Sequence, residues 1–117
     1  MSARRRQAPP SKAPPAPLPL VWTDRARNDL EDIGDYIAAD NPVAAERWVG
    51  ELMGAAEQAA SAPLSGRRVP ELGRDDVREV LKRTYRIVYR VRPDRVDILA
   101  VFESHRRLPG RLKATDE

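Results

Sequence analysis

Between Ala26 and Ala59 the apolar residues keep a helical period twice, and only Asp40-Asn41-Pro42 separates the two stretches. Ala26, Leu30, Ile33 and Ile37 form one stripe, at spacings that place them on a single helix face. Thr23 suits the N-cap of this helix, and Asp24 falls in the first turn, where the helix dipole favours an acid. The helix should stop near Ala39, because Asp-Asn-Pro is turn chemistry and Pro42 suits the first position of a second helix. That helix carries Ala45, Trp48, Leu52, Ala55 or Ala56, and Ala59 on one face and ends before Pro63. Two amphipathic helices with so short a joint must lie antiparallel, as a hairpin.

After Ser61 the period changes. Residues 62–76 are punctuated by Gly66, Pro70 and Gly73 and read as a loop. Val77–Arg83, Tyr85–Arg92 and Val96–Phe102 read as strands, with Pro93-Asp94 turning the second into the third. A short apolar run, Leu18–Thr23, reads as an edge strand ahead of the hairpin. The expected class is α+β, with a strand, a helical hairpin and three strands in order (β-α-α-β-β-β). The hairpin packs on one face of a small, mainly antiparallel sheet. Tyr85, Ile87, Tyr89 and Val91 share one face of their strand, and the two tyrosines read as core. In the last strand strict alternation puts Val96, Ile98, Ala100 and Phe102 together. Val88, Leu99 and Val101 are then expected on the face away from the helices, as an apolar patch marking an interface.

Composition bounds the rest. The 117 residues divide into a Pro-rich basic arm (1–19) expected to be disordered, a single domain (20–110) and a short tail (111–117). The arm holds six of the eleven prolines and Arg4, Arg5, Arg6 and Lys12 with no acid. It reads either as a polyanion-binding extension or as a tolerated terminus. Residues 21–61 carry three arginines against nine acids, whereas residues 62–117 carry fourteen Lys/Arg against nine acids. This polarity suits a C-terminal half that meets something acidic; it equally suits two halves that attract one another. There is no cysteine, so disulfides and thiolate metal sites are excluded. With His105 as the sole imidazole, no metal-ligand spacing is visible and no cofactor is expected. No run is long and apolar enough for a membrane span, and no apolar segment follows Arg4–Arg6 as a secretion signal would require. The expected compartment is the cytoplasm, without membrane association.

Three segments together resemble the RelE/ParE superfamily of toxins. They are ARNDLEDIGDYIAADNPVAA (Ala26–Ala45), PLSGRRVPEL (Pro63–Leu72) and VREVLKRTYRIVYRVRPDRVDILAVF (Val77–Phe102), in that order and at that spacing. The resemblance covers residues 20–110 and implies a toxin of a type II toxin–antitoxin system, neutralised by a cognate antitoxin. It implies one of two targets: DNA gyrase, bound without catalysis in the ParE manner, or mRNA on the ribosome, cut in the RelE manner by a metal-independent endoribonuclease. A third reading is an inactive homologue retained with its antitoxin as a co-repressor. The long, regular helical hairpin is closer to the ParE side. The apolar patch of Val88 and Val101, beside Arg86 and Arg90, is where an antitoxin helix or strand is expected.

RNA cleavage without metal needs a base for the 2′-OH, an acid for the leaving oxygen and cations on the phosphate. Arg83, Arg86 and Arg90 come from one strand region, and Arg86 and Arg90 should project from one sheet face, with Lys82, Arg78, Arg106 and Arg107 on neighbouring pieces. Such arginines suit phosphate or the carboxylates of a partner. They also suit a solvated face, or ion pairs with Glu79 and Asp97. Ribonuclease members of the superfamily often place a His or Tyr just past the last strand, where this chain has His105. Many relatives carry a His two residues earlier, at the position of Glu103, which could itself act as a base. The candidate catalytic set is therefore His105, Glu103 and Arg83; the candidate binding set is Arg86, Arg90, Arg78, Val88, Val101 and Arg106. Whether the chain is an enzyme stays open at this level. Trp22 and Trp48 read as core anchors rather than stacking platforms for bases.

Overall fold

The computed structural model describes residues 18–106 together with Leu108 and Gly110. The arm through residue 17 and the tail from residue 111 lie outside the described residues. Strand β1 (Leu20–Trp22) leads directly into helix α1 (Asp24–Ala38), followed by α2 (Pro42–Ser61), β2 (Arg67–Arg68), β3 (Val77–Lys82), β4 (Tyr85–Val91) and β5 (Val96–Glu103). Thr23 joins the first two elements. Its backbone N–H donates to Ile98 O at 3.2 Å, ending β1, and its hydroxyl accepts the Ala26 N–H at 3.1 Å, starting α1. Asn41 caps α2 in the same way, accepting the Ala44 N–H at 3.1 Å, and Pro42 fills the first helical position.

The five strands are ordered β1-β5-β4-β3-β2. β1 runs parallel to β5, and every other pairing is antiparallel. The helical hairpin covers one face. There Ala26, Leu52, Ala56 and Ala59 pack on Tyr85, Ile87, Tyr89, Val96, Ile98 and Val101, with Trp22, Leu30, Ile33 and Trp48 at the margin. Of the expected arm, Leu18 donates its N–H to Ala60 O and Pro19 O accepts from the Val96 N–H, so both are held against the domain.

The structure corrects the expected faces of β5. Val88 pairs with Ala100 but Tyr89 pairs with Ile98, so the register shifts by one residue at Leu99, a β-bulge. One extra residue reverses the alternation beyond it. Val96, Ile98 and Val101 therefore face the helices, and Ala100 and Phe102 face away. Val101, expected on the far face, is 2% exposed against the hairpin.

The far face is not bare either. The segment read as a loop forms β2, pairing Arg67 with Glu79 and Arg68 with Arg78, and then crosses the sheet. Val69 is buried and Leu72 half-buried against Val77, Val88, Leu99, Ala100, Phe102 and Leu108. The patch expected to await a partner is thus covered by the chain itself, each buried Val, Leu or Phe side chain contributing roughly 1.5–3 kcal/mol.

Candidate functional site

Arg86 points to the far face from the middle of the sheet and is only 5% exposed. Its Nε donates to Glu79 Oε1 at 2.7 Å. Its two terminal nitrogens donate to the two oxygens of Glu71, at 3.0 and 2.9 Å, in a bidentate pair. The Phe102 ring lies against the guanidinium, 5.0 Å from its centre. The hydrogen bonds of Glu71 and Glu79 outweigh burial and raise the Arg86 pKa further. Glu79 is fully buried and is also held by Arg67, so a cation is needed there for the fold to bear its charge.

The other arginines of this face are engaged similarly. Arg90 donates to Asp76 Oδ2 at 3.1 Å, and Arg74 makes a two-pronged pair with the same carboxylate. The Arg74 hydrogen bond, with Arg90 assisting, holds the Asp76 carboxyl below its usual range against the opposing effect of burial. Arg78 donates to the Asp75, Leu64 and Gly66 carbonyls and so pins the crossing segment. Asp97, between Arg92 and Arg95, is pushed up by burial but pulled further down by their hydrogen bonds. Sequence reading missed Glu71 and Asp76 as counter-ions. Nothing in the period of a loop shows which strand it will cross.

The candidate catalytic residues do not join Arg86. Glu103 follows Phe102 on the strand and turns to the helix side, beside Tyr85, its cross-strand partner. His105 Nδ1 lies 3.6 Å from Glu103 Oε1, with the imidazole 75% exposed. Arg83, in the β3–β4 turn, has a left-handed backbone (φ 55°) and lays its guanidinium over Trp48, 4.8 Å from the ring centre, with Glu51 at 3.5 Å. Trp48 in turn meets Tyr85 edge-on, at 6.1 Å. Both tryptophans pack with the helix-side core, as read from the sequence. Arg106 is exposed, and its backbone N–H closes a turn on Glu103 O.

Beside β5, beyond the end of β1, a cleft of about 480 Å³ opens between the strand and α1. Arg25, Asp29, Asp32, Ile33 and Tyr36 line it from the helix, and Tyr85, Glu103, His105 and Arg106 from the sheet end. Asp29, Asp32 and Tyr36 lie three and four residues apart, a helical face adjoining the apolar stripe. Among the described residues no three His, Cys, Asp or Glu side chains are grouped to hold a metal ion. No helix among them is long and apolar enough to cross a membrane.

This architecture recurs in known proteins. A chain from the chromosomal ParDE toxin–antitoxin system of P. aeruginosa superposes with a TM-score of 0.62 at 25% identity, covering 74% of this chain and 95% of that one. Y4kP of Sinorhizobium fredii, named as a candidate toxin, is 40% identical over 93 residues, which are 77% of this chain and 92% of its own length. Toxin RelE2 of Caulobacter vibrioides is 46% identical over 48 residues, 41% of this chain and 54% of that protein. Residues 20–108 match the family described as the ParE toxin of the type II toxin–antitoxin system parDE. The chain belongs to the ParE toxin family of type II toxin–antitoxin systems.

Proposed function

We propose that this toxin arrests growth by binding DNA gyrase, performs no chemistry of its own, and is neutralised in the cytoplasm by a cognate antitoxin. One observation carries the choice of target: the two sheet-face arginines expected to hold an RNA phosphate, Arg86 and Arg90, are paired inside the protein and lie apart from His105 and Glu103. Arg86 is buried in a bidentate pair with Glu71, Arg90 is held by Asp76, and the His105–Glu103 pair lies toward the other side of the sheet. Phosphoryl transfer requires acid, base and cation around one phosphorus atom. Among the described residues Arg86 and Arg90 do not converge with His105 and Glu103, beside which Arg106 stands as the unpaired cation. The ParDE-type fold supports the same reading.

The endoribonuclease reading retains one specific support, the contact of His105 with Glu103 at the rim of the cleft. Expressing the chain alone and mapping mRNA 5′ ends within minutes separates the two. Growth arrest with intact mRNA, together with inhibited supercoiling by purified gyrase, is the expected result. New ribosome-phased ends inside coding sequences would replace it with the RelE-like activity. Absence of any arrest would leave the co-repressor role.

A further inference from the structure

The cleft between α1 and the end of β5 holds two carboxylates, Asp32 and Glu103, that no described arginine or lysine pairs with. Its charged lining reduces to a few free groups once internal pairs are set aside. Asp29 is occupied by Arg25 and by a backbone N–H of β5. Asp32 has no ion-pair partner among the described residues, and Glu103, beside Tyr85, has only the His105 imidazole as a charged contact among them. Arg106 stands with them on the lining as the remaining cation. The C-terminal end of α1 brings the negative pole of its dipole toward Tyr36.

Two aromatic rings complete the lining. Tyr36 is 81% exposed, an unusual position for a tyrosine with no partner to cover it. Tyr85 is nine-tenths buried, yet no described residue hydrogen-bonds its hydroxyl. Burial, and then the Glu103 carboxylate, hold that phenol protonated by raising its pKa. Tyr85 lines the cleft, and its hydroxyl can accept a donor that enters there.

We propose that this cleft receives an arginine side chain from a partner polypeptide. A guanidinium is planar, so it stacks on tyrosine, and its five N–H donors can bridge two carboxylates while meeting a phenolic oxygen. Lysine, a point charge, would use these groups less fully. The described part of the chain begins at the other end of β5. Leu20 pairs with Val96 at the start of β5, whereas the cleft opens at its finish, beside Glu103. The inference rests on the reading of this protein as a toxin that works by binding other proteins.

The test is a heteronuclear NMR titration of the full chain with N-acetyl-arginine amide. Saturable shifts clustered on Asp32, Tyr36, Tyr85, Glu103 and His105 are expected, with the neutral citrulline analogue inert. A double variant, Asp32→Asn with Glu103→Gln, should bind about tenfold more weakly, and Tyr36→Ala about threefold. An unchanged Val101 amide resonance shows that each variant keeps its fold. Shifts spread over all the acids of the hairpin, or an undiminished affinity in the double variant, would overturn the site. Binding seen only after Arg4, Arg5 and Arg6 are replaced by alanine would overturn the partner as its source. Growth arrest reports separately: a chain that binds arginine amide in the cleft without arresting growth keeps the site and loses the gyrase reading.

Discussion

The backbone N–H of Val101 donates to Oδ2 of Asp29 at 3.0 Å, a bond from the sheet to the side chain of a helix 72 residues earlier. It lies just where β1 has stopped: the last β1 pairing is Trp22 with Ile98, and beyond it the edge of β5 has no neighbouring strand. A buried N–H without an acceptor is costly. Asp29 supplies that acceptor and thereby fixes the spacing of α1 from β5 that opens the cleft.

Replacing Asp29 by alanine should therefore cost about 1–3 kcal/mol, the usual loss when a buried donor is orphaned. Asparagine keeps an acceptor oxygen and should cost less. Arg25→Ala, which removes only the half-exposed partner of Asp29, should cost under about 1 kcal/mol. Urea denaturation of the three variants checks the order; equal losses for Asp29→Ala and Arg25→Ala would assign the effect to the ion pair instead.

Arg86 should be the most stability-critical arginine. Arg86→Met leaves Glu79 buried with Arg67 alone and should destabilise by about 3–5 kcal/mol. Glu71, a third exposed, can return to water when its partner is intact, so Glu71→Gln should cost clearly less. A combined Arg86→Met and Glu79→Leu variant should recover much of the loss. Failure of that recovery in chemical denaturation would show that packing against Phe102, rather than the unpaired charge, sets the cost.

Gly66 has no room for a side chain. A Cβ there would overlap the Tyr89 hydroxyl and lie 2.9 Å from Glu79 O. That hydroxyl donates to Pro63 O at 2.7 Å, so it cannot move aside without losing its bond. Gly66→Ala should lower stability by about 1–3 kcal/mol, as overpacking does. In a Tyr89→Phe background the additional cost should shrink. An equal cost in both backgrounds, read from thermal melts, would place the clash on the backbone.

Acid should weaken the fold through Asp76 and Asp97. Both carboxyls are held below their ordinary value of 3.8 in the folded protein by paired arginines. A depressed folded pKa contributes stability that is complete above the unfolded value and is lost as pH falls through the folded one. Stability should be level with respect to these two groups at neutral pH and decline below about pH 4. Asp97→Asn should flatten the decline in a pH series of denaturation midpoints. An unchanged slope would move the acid sensitivity to other carboxylates.

Much of the fold was legible in local pattern. Thr23, Asn41 and Pro42 announce helix boundaries because capping is settled within a turn of chain, and the observed caps use those residues. The change of period after Ser61 marks where helices give way to strands. The candidate site was less legible. His105 and Glu103 were visible as residue types beside the last strand, but Asp32, Tyr36 and Tyr85 belong to their site only through the packing of α1 on β5.

By itself the sequence determined the order of the helices and the longer strands, the hairpin and the family, because periodicity, caps and turns act over a few residues. Tertiary structure decided which way the strands' side chains face and which charges remain free. A single bulge at Leu99 exchanged Val101 and Phe102 between the two faces, since alternation counts residues and one extra residue inverts it. The arginines of β4 found carboxylates on a segment that no period assigns to that face. Ion pairing depends on distance in space, and the path of residues 69–76 over the sheet brought Glu71 and Asp76 within reach.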